Sequence, residues 1–366
     1  MTGTGTSSDP FLVATASDLC NVGNNLSAYY KQTADIDMAG VTFTGIGSDS
    51  TPFTGTFDGD NHIISNLSIN ATTDYTGLFN EVNAGTLKNI KLYKETINST
   101  KGYIGGLAGK TTNNGSVTNC GASDVTITGV GYIGGLFGTC GSNVTKCFVV
   151  GINLKSTGIM IAGFAGSMTE NPTTTYNISQ CFCEGMVDGT GQTFVGGFGA
   201  MIGGNYLVED CFAQCNVKGN TYTGGFAGFF GGASNRVIAH RCYTASPITT
   251  TTTDAGCFNG TMGSTTEMLN CFWDSSISII TKDPSVITGS NYGTLPVGKT
   301  TAEMQTQSTF TNYDFTNIWA INSGEYPHLQ YYQPINPNPV TPTTPTYKQN
   351  YHNLNSPLFG TFSPLF

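Results

Sequence analysis

For most of its length the chain places its apolar residues in short alternating runs. Around Phe53, Phe57, Ile64, Leu67 and Ile69 they recur near every second position, which predicts short strands, and Asp58-Gly59-Asp60-Asn61 falls between them as a turn. From about Thr76 to Trp273 one apolar phrase returns. The block Gly-Gly-Leu/Phe-Ala/Phe-Gly, with small variations, begins at Gly105, Gly134, Ala162, Gly196 and Gly224, in steps of 29, 28, 34 and 28 residues. A second marker keeps phase behind it: a cysteine followed by an apolar or small residue, at Cys120, Cys147, Cys181, Cys211, Cys242 and Cys271, in steps of 27, 34, 30, 31 and 29. Two markers in phase describe a repeat array in which each unit packs on its neighbours. Tyr103, Tyr132, Phe194 and Tyr222 precede the glycine blocks in register and predict a further ladder.

The flanks read differently. In residues 1–30 a polar arm leads to a strand and then a short helix starting near Ser17, whose hydroxyl caps it, with Leu19, Val22 and Leu26 facing inward. This segment covers the open end of the first coil, because a coil stack exposes backbone at both ends. Residues 31–299 form the repeat body. Residues 300–333 close the other end, with Thr300 and Glu303 starting a helix and Phe310, Phe315, Ile318 and Trp319 as a hydrophobic plug. Residues 334–346 are a Pro/Thr-rich linker. In 347–366 the sequence Ser-Pro-Leu-Phe is written twice, and Leu358, Phe359, Leu365 and Phe366 are four apolar anchors for a partner groove.

The segment FTGTFDGDNHIISNLSI, the blocks YIGGLAG, YIGGLFG and YTGGFAG, the NCFWD at 270–274 and the sequence from Thr300 to Gln330 together resemble the GLUG-motif repeats of bacterial surface proteins, adhesins and some phage proteins. The resemblance covers roughly residues 30–330. It implies an all-β fold, a right-handed parallel β-helix with terminal caps and an extended tail, on an exposed structural or adhesive protein. It carries over no catalytic residue.

Composition narrows the function. Charged residues are 10% of the chain and glycine is 48 of 366, so the surface is made polar by neutral Ser, Thr and Asn. The formal net charge is -9 with 14 Lys plus Arg, which provides no basic stripe for nucleic acid. No apolar run reaches the length of a membrane-spanning helix, so membrane insertion is not expected. The start lacks a basic region followed by an apolar core, so the expectation is export without such a leader or its prior removal. Six of the eleven cysteines share one repeat position. Parallel side chains on stacked rungs do not favour the disulfide torsion, so the ladder is expected to be buried free thiols, with pairing among Cys140, Cys183, Cys215 and Cys257 as the alternative. In the units leading into the array, Leu67 and the stretch Leu87 to Ile90 stand at the cysteine position, which favours a core role.

Candidate chemistry is sparse. Carboxylates such as Glu170, Glu184, Asp188, Glu209 and Asp254 fall at differing repeat phases, and the four histidines His62, His240, His328 and His352 are scattered. Neither spacing matches a metal site or a nucleophile motif, and the Asp58–Asn61 turn reads as a turn rather than a calcium loop. No cofactor, metal or catalytic residue is expected. The leading expectation is a non-enzymatic phage fibre or decoration protein, displayed on a virion surface and docked to other subunits through its tail in an oligomeric assembly. The alternatives are a secreted cell-surface adhesin or extracellular filament subunit, and a polysaccharide-acting β-helix enzyme. In either attachment reading a host-surface glycan or protein is the receptor.

Overall fold

The computed structural model describes residues 1–170, 175–232, 236–250, 252, 254–263, 266–278, 280 and 295–335. Within them the chain is a parallel β-helix. Three sheets of 15, 12 and 7 strands run along the axis, and one antiparallel pair, Trp319–Ala320 with His328–Leu329, lies outside them. Successive strands of each sheet come from successive coils, in parallel register. The 12-stranded sheet follows the cysteine marker and is called the cysteine sheet; the 7-stranded one, beginning with Tyr75–Thr76, is the tyrosine sheet. The main path of the cysteine sheet joins ten strands, a stack of about 43 Å at a strand spacing of about 4.8 Å.

The repeat markers have physical counterparts in the coil. The Leu or Phe of each glycine block points inward, and Phe164, Phe198, Phe226 and Phe258 stack with ring centroids 4.6–5.0 Å apart. The glycines before them serve close approach between coils. A Cβ on Gly134 would overlap the carbonyl oxygen of Phe137 and lie 2.7 Å from Ala165 Cα of the next coil. The coil bends at a different residue. Asn89, Asn119, Lys146, Gln180, Asp210, Arg241 and Asn270 all adopt φ between 52° and 56°, and each immediately precedes the cysteine position. Sharp bends therefore fall on side-chain-bearing residues in the left-handed region, and the glycine pairs make room.

Several details depart from the sequence reading. The helix Ala16–Asn21 is capped by Thr15, whose hydroxyl accepts from Asp18 N while the Asp18 carboxylate accepts from Thr15 N, so Ser17 already lies within the helix. Leu19 and Val22 are buried, and Leu26 is half-buried. Phe11–Val13 pairs in parallel with Tyr29–Gln32, so the first coil begins inside the segment read as arm and cap. Leu67 does not share the cysteine column. It stands one coil before Glu95, because Ser68 pairs with Thr96, whereas Ile90 is the residue beneath Cys120.

The greatest departure is the segment after the last coil. Thr300 does cap the helix Thr301–Met304, with Glu303 completing the capping box. The chain then turns back along the outer face of the cysteine sheet and does not plug the open end. Phe148, Phe182, Phe212, Tyr243 and Phe272, each following a cysteine, project outward as a second ladder. Phe310 meets Tyr243 and Phe272, Trp319 meets Phe212 and Tyr243, and Tyr332 meets Phe148 and Phe182. As residue number rises, this strap travels back toward the first coils. An aromatic ladder on an outer face would otherwise stand in water, and covering it is the gain that orders the strap.

Candidate functional site

The six cysteines Cys120, Cys147, Cys181, Cys211, Cys242 and Cys271 lie in one column inside the coil and are all buried. Each thiol is a weak donor to backbone carbonyls, as Cys147 Sγ to Thr145 O at 3.4 Å and Cys211 Sγ to Glu209 O at 3.1 Å. Burial pushes the Cys120, Cys147, Cys211 and Cys271 thiols well up, which keeps them neutral and unreactive. All eleven cysteines are free, including Cys140, Cys183, Cys215 and Cys257, and Cys20 alone is exposed. The anchors Leu358, Phe359, Leu365 and Phe366 lie outside the described residues, as does the linker from residue 336 onward.

Polar groups under the strap fix its register. Trp319 Nε1 donates to Asp210 Oδ1 at 2.9 Å, and the same carboxylate takes two bonds from Arg241, Nε to Oδ1 and Nη2 to Oδ2, both at 2.9 Å. At the last coil, Asp274 Oδ2 accepts from Tyr326 OH at 2.6 Å and from Thr301 Oγ1 at 2.7 Å. Asp210 is the bend residue before Cys211, and Asp274 ends the NCFWD segment. Asp210 and Asp274 are thus both matched by donors, which offsets the cost of burying them under the strap. Near the same edge His240 lies between Glu209 and Glu267, at 3.5 and 3.2 Å, and Arg241 Nη2 reaches Glu209 at 3.1 Å. Among the described residues no group of three or more His, Cys, Asp and Glu is arranged to hold a metal.

The tyrosine sheet presents a different surface. Tyr75, Tyr103, Tyr132, Met160, Phe194 and Tyr222 follow one another in register on its outer side, half-buried apart from the buried Met160. Tyr75 and Tyr103 stack at 5.2 Å, Tyr103 and Tyr132 at 4.6 Å, and Phe194 and Tyr222 at 5.3 Å. The column ends at Tyr75. Beside it is a cavity of about 400 Å³ lined by Asp49, Asp74, Tyr75, Asn80, Lys101 and neighbouring hydroxyls. Lys110 Nζ lies over the Tyr75 ring, 4.8 Å from its centroid, and 3.3 Å from Glu81 and 3.8 Å from Asp49. Burial raises the Glu81 carboxyl against the pull of Lys110. The sequence pattern showed the aromatic column at Tyr103, Tyr132, Phe194 and Tyr222 but not its end. Residues 48–51 carry no repeat signature, and their position beside Tyr75 follows from the parallel bridges of Ile46 to Phe79 and Phe53 to Val82.

Residues 101–128 match the GLUG motif. Over 155 residues, 38% of the chain, the protein is 37% identical to halomucin of Haloquadratum walsbyi, and the match spans 2% of that protein. Over 119 residues, 29% of the chain, it is 32% identical to an Evansella cellulosilytica protein provisionally named a Gly-rich membrane protein, of which the match spans 14%. The chain therefore corresponds to a small part of either relative. Among solved structures, a Bacteroides ovatus protein provisionally assigned as an immunoglobulin A1 protease superposes over 90% of this chain and 95% of its own, with a TM-score of 0.60 at 22% identity. At that identity the likeness is one of fold. The coil architecture makes the chain a parallel β-helix, and its residues 101–128 carry the GLUG motif.

Proposed function

We propose that this parallel β-helix of GLUG-type repeats is a non-enzymatic structural and attachment module of a cell-surface or extracellular protein. The observation that carries the proposal is the continuous stack of coils itself, closed by its own core and strap, which makes a stiff body with a neutral polar surface. The Evansella relative is named as a membrane protein and halomucin carries a mucin's name, which supports a place at the cell boundary. Neither is a virion protein by name, so the cell-surface reading takes precedence over the virion one. In this reading the coils space and present binding features, and the receptor is a glycan or protein on the opposing surface. The tail beyond residue 335 is proposed to join the module to other subunits of the assembly.

The test uses antibodies against the full chain on intact cells of the organism that makes it. Labelling of unpermeabilised cells, lost after brief external protease treatment, is the expected result. Labelling that requires permeabilisation would sink the proposal.

A further inference from the structure

We propose that the corner joining the cysteine sheet to the tyrosine sheet, from Thr157 to the cavity at Tyr75, binds a short uncharged oligosaccharide. This deepens the attachment reading above and rests on it for its biological setting, while its evidence is local. The first observation is the end of the tyrosine column. Within a stack each ring face is covered by its neighbours, so only edges meet solvent. Tyr75 belongs to the last strand of the 7-stranded sheet; Tyr103 is the one aromatic ring stacked on it among the described residues, and Lys110 Nζ lies 4.8 Å from its centroid. On the other side no further strand of that sheet follows, and the cavity of about 400 Å³ is bounded there by Ser48, Asp49 and Ser50 of the preceding coil. The part of the ring that Tyr103 and Lys110 leave uncovered suits the C–H groups of a sugar ring, and Asp49, Asp74 and Lys101 around it suit vicinal hydroxyls.

The second observation is the groove that continues from this cavity. Thr72 lines both the Tyr75 cavity and an adjoining cavity of about 410 Å³ that runs over Asn98, Thr128 and Thr157 on three successive coils. No charged side chain lines this second part. Asn98 Nδ2 donates to Asn70 Oδ1 at 3.1 Å, which leaves Asn98 Oδ1 and Asn70 Nδ2 without a protein partner among the described residues. From the coil of Thr157 onward the column of Asn98 and Thr128 is charged, because Thr128 is followed in register by Lys155, Asp188 and Lys218. The uncharged stretch therefore has two ends, Tyr75 and Lys155. Four coils at about 4.8 Å span roughly 14 Å between the outermost ones, enough for a few sugar residues laid along the axis. Both volumes lie in the range of small-ligand sites, and the chain's net charge of -9 disfavours acidic glycans.

The experiment titrates the full chain with triacetylchitotriose, cellotriose, mannotriose and galactotriose, and with trigalacturonate as the charged comparison. Calorimetry and ligand-observed NMR give the affinities, with circular dichroism as a check of fold. At least one neutral trisaccharide is expected to saturate below about 10 mM, with trigalacturonate at least about tenfold weaker. Tyr75→Ala and Thr128→Arg should each weaken the neutral ligand by about tenfold or more, and Tyr222→Ala, at the far end of the column, by less than about twofold. Thr128 is exposed, so its replacement tests the groove even where Tyr75→Ala disturbs the stack. No saturation by any of the four neutral probes, or unchanged affinity in a folded Thr128→Arg protein, would overturn the proposal. Beads coated with Thr128→Arg protein that attach to cells as well as wild type would overturn the groove and leave the attachment reading standing. Sugar binding by a protein absent from the surface of intact cells would do the reverse.

Discussion

Glu95 offers a direct test of the coil interior. Its column runs Leu67, Glu95, Val125 through successive coils, so a carboxyl stands where its neighbours are aliphatic. The side chain is 1% exposed, lies over Gly106, and neither carboxyl oxygen has a hydrogen-bond partner. Burial alone pushes its pKa up to about 8, from an ordinary 4.5. Below pH 4.5 the group is protonated in both the folded and unfolded chains and adds no pH-dependent cost. Above it the unfolded chain ionises while the folded one holds its proton, so stability falls by about 1.4 kcal/mol per pH unit. The loss reaches about 3 kcal/mol at pH 7 and about 5 kcal/mol at pH 8, where it levels off. Glu95→Leu removes this loss and copies the residue one coil earlier. Chemical denaturation of wild type and Glu95→Leu at pH 5 and pH 8 isolates the effect, because other titrating groups cancel in the double difference. The variant should gain several kcal/mol over wild type between the two pH values. An equal pH dependence in both proteins would refute a buried, neutral Glu95.

Other elements predict equally specific outcomes. In native protein one thiol, Cys20, should react promptly with a disulfide reagent, and all eleven after denaturation; prompt reaction of the ladder would contradict its burial. Trp319→Phe keeps an aromatic ring on Phe212 and Tyr243 but removes the bond to Asp210, and should cost about 1–2 kcal/mol; Trp319→Ala should cost about 3–5 kcal/mol, read as earlier release of the strap to protease. Gly134→Ala meets the backbone of the next coil and should destabilise by more than about 3 kcal/mol, whereas Gly23→Ala meets no atom within 4 Å and should leave the unfolding free energy from chemical denaturation within about 0.5 kcal/mol of wild type.

The parallel coil was legible because a solenoid writes its register into the sequence. Residues about 30 apart occupy equivalent positions, so the spacing of Cys120 to Cys271 and of the glycine blocks reproduces the columns of the structure. Legibility fell where the period is irregular. Leu67 has the apolar character of the cysteine position, although the hydrogen-bonded register aligns it with Glu95. The bend residues were hidden for a related reason. Asn, Lys, Gln, Asp and Arg share the same left-handed conformation there, and apart from Asn and Asp nothing in their chemistry announces it. The site at Tyr75 depends on a column ending, and a repeat pattern reports continuation more readily than its end.

The strap shows a signal that was present and carries a general argument. In five of the six cysteine units the residue after the cysteine is Phe or Tyr, and strand alternation sends it to the outer face whenever the cysteine faces the core. Five outward aromatic residues on consecutive coils would make a continuous apolar stripe, which a soluble surface rarely leaves uncovered. The pattern therefore demanded a cover. The segment 300–335, rich in Phe, Tyr and Trp and placed after the last repeat, was the available one, and aromatic residues gathered there for a flank were indistinguishable in composition from a plug for an end. Gly121, at the same position after Cys120, marks where the stripe stops: a Cβ there would meet the Phe148 ring. The tyrosine column differs because no strap like that of residues 300–335 covers it among the described residues, and at Tyr75 it ends against Lys110 and polar side chains. Of the two outward aromatic columns, one has been used to close the fold and the other remains available for recognition.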